Sequence, residues 1–134
     1  MRARGVSVVA KELVYGYRCE LEGKHYILAD DAQIADEGPR GIEVAGFVEI
    51  YPDSLALDTG RTDRRGKAIF GSYPADGNRM SKGGDRVRKP GFSDDWDEYD
   101  VKFDNAHFYL PDNWEFTDKW GHCEIIGSQW EDKL

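Results

Sequence analysis

The sequence predicts an all-β domain, and three observations point there. Apolar and polar residues alternate with a period of two in several short runs, the pattern of half-buried strands. The 3.6-residue period of an amphipathic helix is nowhere sustained along the 134 residues. Fifteen glycines and an aromatic content of 13% suit a chain with many tight turns between strands. About eight or nine short strands are expected, with long loops and little helix, which fits a barrel or a sandwich. A chain of this length suggests one domain, residues 1–134, with a core that needs no staples.

In chain order, residues 1–4 read as a loose end and Val6-Ser7-Val8-Val9 as a short strand. Residues 13–21 alternate, with Leu13, Tyr15, Tyr17, Cys19 and Leu21 on one face. Glu22-Gly23 is the turn of a hairpin, and His25-Tyr26-Ile27-Leu28 is its returning arm. The acidic stretch 30–41 reads as a loop, with one helical turn at 31–35. Residues 42–51 form the next strand, where Gly46 suggests a bulge or a close backbone approach. Pro52-Asp53-Ser54 is a turn leading into Leu55-Ala56-Leu57.

Residues 58–89 are the most organised stretch and read as a hairpin whose second arm is interrupted. Thr59-Gly60 closes the run 54–57, and Asp63-Arg64-Arg65-Gly66 is the hairpin turn. Asp63 can accept backbone N–H groups, and Gly66 supplies the positive φ such a turn needs. Ile69 and Phe70 then enter the core. After the polar stretch 71–83, Gly84-Asp85-Arg86-Val87 resumes the arm. Ser93 to Asp100 reads as an acidic loop. Tyr99 to Phe103 and Ala106 to Leu110 are strands joined at Asp104-Asn105, and Cys123 to Trp130 is the last strand. Trp130 and Phe103 are assigned to the core.

The net charge of −8 is unevenly distributed. Residues 61–90 hold nine Lys/Arg against three Asp/Glu, whereas 91–134 hold three against twelve. The overall sign argues against non-specific attraction to nucleic acid or anionic membrane. The basic band is Arg61, Arg64, Arg65, Lys67, Arg79, Lys82, Arg86, Arg88 and Lys89. The favoured reading pairs it with the acidic tail across the fold; a local phosphate contact stays open.

No catalytic constellation stands out. Asp63 and Asp85 are expected near one end of the hairpin, and the favoured reading has both holding turns through backbone N–H groups. The acidic residues 94–100 lack the calcium-loop spacing and read as a solvated loop. His25, His107 and His122 are scattered, and His25 and His107 are expected on semi-exposed strand faces. Cys19 and Cys123 form no metal pattern, and a disulfide between them is not expected. No phosphate loop or cofactor motif is present, so no cofactor and no enzyme activity are expected. There is no apolar leader and no run of membrane-spanning length, so the expected location is the cytoplasm. Trp96, Trp114 and Trp120 lie in polar stretches and are the candidates for a protein-binding surface.

Thr59-Gly60-Arg61-Thr62-Asp63-Arg64-Arg65-Gly66-Lys67-Ala68-Ile69-Phe70 resembles the signature of the YopX family of small phage and prophage proteins. Thr59, Gly60, Asp63, Gly66, Ile69 and Phe70 match it, while Arg61 stands where the family has an apolar residue. The closing part of the signature resembles Gly84-Asp85-Arg86-Val87, which makes about 71–83 an insertion. Val14-Tyr15-Gly16-Tyr17, Gly23-Lys24-His25-Tyr26-Ile27 and the segment from Cys123 to Glu131 resemble flanking family segments in the same order. The resemblance implies an SH3-like, partly open small barrel, a phage or prophage origin and a bacterial host. It implies no activity. Two functions follow as expectations: a non-enzymatic module that binds a host or phage protein, or a nucleic-acid-associated barrel using the band 61–89. On the family pattern, residues 73–80 can be deleted without loss of the fold.

Overall fold

The computed structural model describes residues 2–39, 41–74, 79–90, 96–104, 107–109 and 123–130. Across them the protein is all-β, with one 3-10 turn at Pro52–Ser54. The strands are β1 (Ala3–Val6), β2 (Leu13–Leu21), β3 (Lys24–Gly38), β4 (Gly41–Glu49), β5 (Ala56–Thr62) and β6 (Ala68–Ser72). They continue as β7 (Asp85–Pro90), β8 (Trp96–Asp100), β9 (Lys102–Asp104), β10 (His107–Tyr109) and β11 (Glu124–Ser128). One sheet has eight strands in the order β10-β9-β6-β5-β1-β2-β3-β4, and a second has three in the order β11-β7-β8. Both orders are open, and neither sheet closes into a barrel. No helix among the described residues is long and apolar enough to cross a membrane.

The β2–β3 hairpin turns where the sequence predicts. Glu22 and Gly23 both take positive φ, 53° and 78°, the geometry of a two-residue hairpin loop. The stretch 30–41 is not a loop with a helical turn. It continues β3 to Gly38, because β4 pairs along it from Gln33↔Ala45 to Gly38↔Gly41. A cross-strand partner outweighs the weak strand propensity of an acidic run. The pairing slips between Leu28 and Gln33, opposite Gly46. Gly46 has φ +105°, and a β-carbon there would stand 2.8 Å from Ala32 Cα. Both the bulge and the close approach inferred from this glycine are present.

The N-terminus departs from expectation. Ala3 and Arg4 are buried in β1, which lies between β2 and β5 and joins the two hairpins of the large sheet. Val9, read as a strand residue, is exposed. The two faces of β2 alternate as expected, and the structure sets which of them is covered. Leu13, Tyr17 and Leu21 are exposed, and Val14 packs on the core instead. At Gly16 a β-carbon would overlap the Leu28 carbonyl of the paired strand β3, so the two backbones pass too close there for a side chain.

Two clusters form the core. The first holds Ala3, Ile27, Ile50, Leu55 and Leu57, with Val14, Tyr73 and Phe103 packed against it. The second holds Ile69, Val87, Val101 and Cys123 under the three-stranded sheet. Trp130 is buried and stacks on Tyr51 at 6.0 Å, as its core assignment requires.

The hairpin of residues 58–89 is only partly as predicted. β5 runs through Gly60, whose φ of +77° accompanies a register shift between Asp58 and Thr62. The turn Asp63-Arg64-Arg65-Gly66 forms, with the Gly66 N–H on the Asp63 carbonyl at 3.0 Å and φ +79° at Gly66. The second arm does not resume at residue 84. β7 leaves for the other sheet, because the outer edge of β6 is already occupied: Ser72 N–H donates to the Val101 carbonyl.

At Gly66 a β-carbon would meet nothing within 4 Å, so Gly66→Val carries backbone strain alone. The expected cost is about 1–2 kcal/mol, read as a lower melting temperature with a single cooperative transition. The stretch 71–83 is more deeply committed. Gly71 and Ser72 belong to β6. Tyr73 N–H donates to Ser81 Oγ at 3.0 Å, and Ser81 N–H returns to the Tyr73 carbonyl at 3.1 Å. The Tyr73 ring lies 4.9 Å from Phe103. Contrary to the family-based expectation, deletion of 73–80 should therefore destabilise by about 3 kcal/mol or more, more than Gly66→Val in the same melts.

Candidate functional site

Asp63 sits at the tip of the β5–β6 hairpin and is buried. One carboxylate oxygen accepts the Arg65 and Lys67 N–H groups, both at 2.9 Å. The other accepts the Ile125 N–H at 3.1 Å, from β11. Arg64 N–H adds a bond to the Cys123 carbonyl at 2.8 Å. The turn is thus fastened to the second sheet. Burial pushes the Asp63 carboxyl up, but the N–H groups of Ile125, Lys67 and Arg65 and the Arg65 charge hold it below its ordinary value. A carboxylate saturated in this way is an architectural clamp, not a base waiting for a substrate.

Asp85 does a different job. Its carboxylate accepts Arg4 at 2.7 Å and the Phe70 N–H at 2.8 Å, with both ionic side chains about 5% exposed. Arg4 also donates to the Gly83 carbonyl and lies 4.7 Å above the Phe70 ring. Asp63 and Asp85 share no partner, so they do not form one site. Gly84 between them and the sheet has no room for a side chain: its N–H donates to Ser72 Oγ at 2.9 Å, and a β-carbon would overlap Ser72 N. Arg4 is the residue that sequence reading missed, hidden in a segment taken for a loose end.

Part of the basic band pairs with the acidic tail, as favoured, while Arg79 turns to Asp53 instead. β7 runs antiparallel to β8 with Arg86 opposite Asp100, Arg88 opposite Glu98 and Lys89 opposite Asp97. Arg86 reaches Asp100 at 3.2 Å, and Arg79 reaches Asp53 at 3.4 Å. Arg88 and Arg65 converge on Glu124, at 2.7 and 2.5 Å. The hydrogen bond from Arg88, with the charges of Arg65, Arg88 and Arg64, holds the Glu124 carboxyl below its ordinary range against the effect of burial. Arg61 and Arg64 stand exposed at the hairpin tip.

Trp96 opens β8, so residues 96–100 are strand and not loop. Trp114 and Trp120 lie outside the described residues, as do Asp94, Asp95 and His122. His107 lies in β10. His25 is buried rather than semi-exposed. Cys19 and Cys123 form no disulfide with each other. Among the described residues no group of three or more His, Cys, Asp or Glu side chains could hold a metal ion.

An apolar surface covers the outer face of β2, β3 and β4. Tyr17 pairs with Leu28, and Leu28 with Phe47, so the three share one face. Exposure is 56% at Tyr17, 51% at Leu21, 41% at Phe47 and 40% at Leu13. Tyr26 meets Phe47 edge to face at 6.1 Å. Lys24 and Glu49 lie in register on the same face, beside Leu21 and Tyr26, and their charges cancel. In a chain of net charge −8 this is an apolar, near-neutral patch. Compared with known proteins, the chain matches no family model, no curated sequence and no solved structure.

Proposed function

We propose that this chain is a non-enzymatic module of phage or prophage origin that binds a host or phage protein in the bacterial cytoplasm. The observation that carries the reading is the exposed apolar face of Leu13, Tyr17, Leu21 and Phe47. Its low charge suits a partner that presents an apolar, aromatic-rich surface. The YopX-like motif supports the origin. The fold reading that goes with it is a partly open SH3-like barrel. The order β5-β1-β2-β3-β4 supports it, as does the isolated bridge Ser7↔Ile50 between the ends of β1 and β4. The nucleic-acid reading is the weaker one, because Arg65, Arg79, Arg86 and Arg88 already spend their charge on carboxylates.

The test is co-purification from the host, identification of the partner and rebinding of the two purified proteins. Tyr17→Lys with Phe47→Lys should weaken that complex at least about tenfold while leaving the melt intact. Trp114→Ala and Trp120→Ala test whether the loop aromatics contribute. Sedimentation that shows a dimer abolished by the same face variants would replace the partner with a second copy of this chain. A gel shift lost in Arg64→Glu with Arg65→Glu would favour nucleic acid instead.

A further inference from the structure

Apart from the apolar face, the molecule has an open cleft of about 260 Å³ where the two sheets meet. It is lined by Met80, Ser81, Lys82, Arg86, Asp100, Lys102 and Gln129. We propose that this cleft binds a small phosphate monoester, held by Lys82 and Lys102.

The walls are fixed before any ligand arrives. Ser81 is buried, held by Tyr73 N–H on its Oγ. Lys82 N–H donates to the Asp53 carbonyl at 2.6 Å, which anchors the base of that side chain. Lys102 is set by its register with Ser72 in β6. Gln129 closes the floor: its amide donates to the Val101 carbonyl at 3.3 Å, and its oxygen accepts Ser72 Oγ at 3.2 Å. These bonds fix the backbone from which Lys82 and Lys102 extend.

Charge selects the ligand. The lining has three cations and one carboxylate, and that carboxylate is engaged by Arg86 Nε at 3.2 Å. Among the described residues, Lys82 and Lys102 make no ion pair. A net charge of about +2 matches a phosphate monoester, which carries about −1.5 to −2 near neutral pH. The volume falls just below the usual range for small-molecule sites, about 300–1,000 Å³, so the ligand is mononucleotide-sized or smaller. A nucleic-acid strand fits less well, because the flanking strand β8 is acidic, with Asp97, Glu98 and Asp100.

Calorimetric titration of the whole chain with adenosine 5′-monophosphate at low salt tests the proposal. Binding tighter than about 1 mM is expected, with none for adenosine. Lys82→Met with Lys102→Met should weaken it at least about tenfold, and Lys82→Met alone should weaken it severalfold. Lys11→Met, in the loop before β2, should leave it unchanged. No binding of the nucleotide at about 5 mM would overturn the proposal. So would equal affinity in the double variant with an unaltered melt. Tighter binding of a thymidine oligonucleotide than of the mononucleotide would also overturn it, in favour of a strand-binding groove.

Discussion

Arg4→Met should cost about 3–5 kcal/mol and bring the domain close to unfolding at ordinary temperature. The reason lies with the group left behind. Asp85 loses its Arg4 partner at 2.7 Å and keeps one neutral donor, the Phe70 N–H, in a site only 4% exposed. Water cannot replace the lost partner there, so the carboxylate is left buried and under-paired. The Gly83 carbonyl loses a donor in the same step. Asp85→Asn should be severe for the opposite reason, since it strands a buried guanidinium whose Nε already lacks a partner. The double variant, Arg4→Met with Asp85→Asn, should cost less than the sum of the single changes, because neither charge is then abandoned. Urea melts of the three variants measure this coupling. Additive costs would mean that the pair contributes packing and no specific interaction.

Asp63→Ala should be the next most damaging change, at about 3 kcal/mol or more. Three backbone N–H groups, from Arg65, Lys67 and Ile125, lose a charged acceptor together. The loss also undoes the join between the hairpin tip and β11. Asp63→Asn should be milder, since the amide oxygen still accepts, yet its NH₂ group faces donors. The pH dependence has a definite sign. The Asp63 carboxyl is held below its ordinary value of 3.8 in the folded chain. Its contribution is therefore complete above that value and is lost as the pH falls through the lower folded value. Glu124 acts in the same direction through Arg88 and Arg65. Stability of the parent should drop steeply below about pH 4, and Asp63→Asn should flatten that slope. An unchanged slope in this variant would show that other carboxylates govern the acid transition.

The all-β class, the β2–β3 hairpin at Glu22-Gly23, the glycine-closed turn at Gly66 and the bulge at Gly46 can all be read from the order of residues alone. Each is a local matter: a period of two, a short loop, or a backbone angle only glycine adopts freely. The pairing of part of the basic band, Arg65, Arg86 and Arg88, with the acidic tail was also legible, because charge blocks of opposite sign in one small domain attract. Which face of β2 lies inside was decided by the tertiary structure, since alternation marks two faces and does not say which one a second layer will cover. The same holds for β7, whose motif reads as a continuation of the β5–β6 hairpin. Its destination depended on Val101 and Asp85 occupying the β6 edge. The buried Arg4 was out of reach for the same reason: a charge at position 4 looks like a solvated terminus until Asp85, eighty-one positions away, is folded against it.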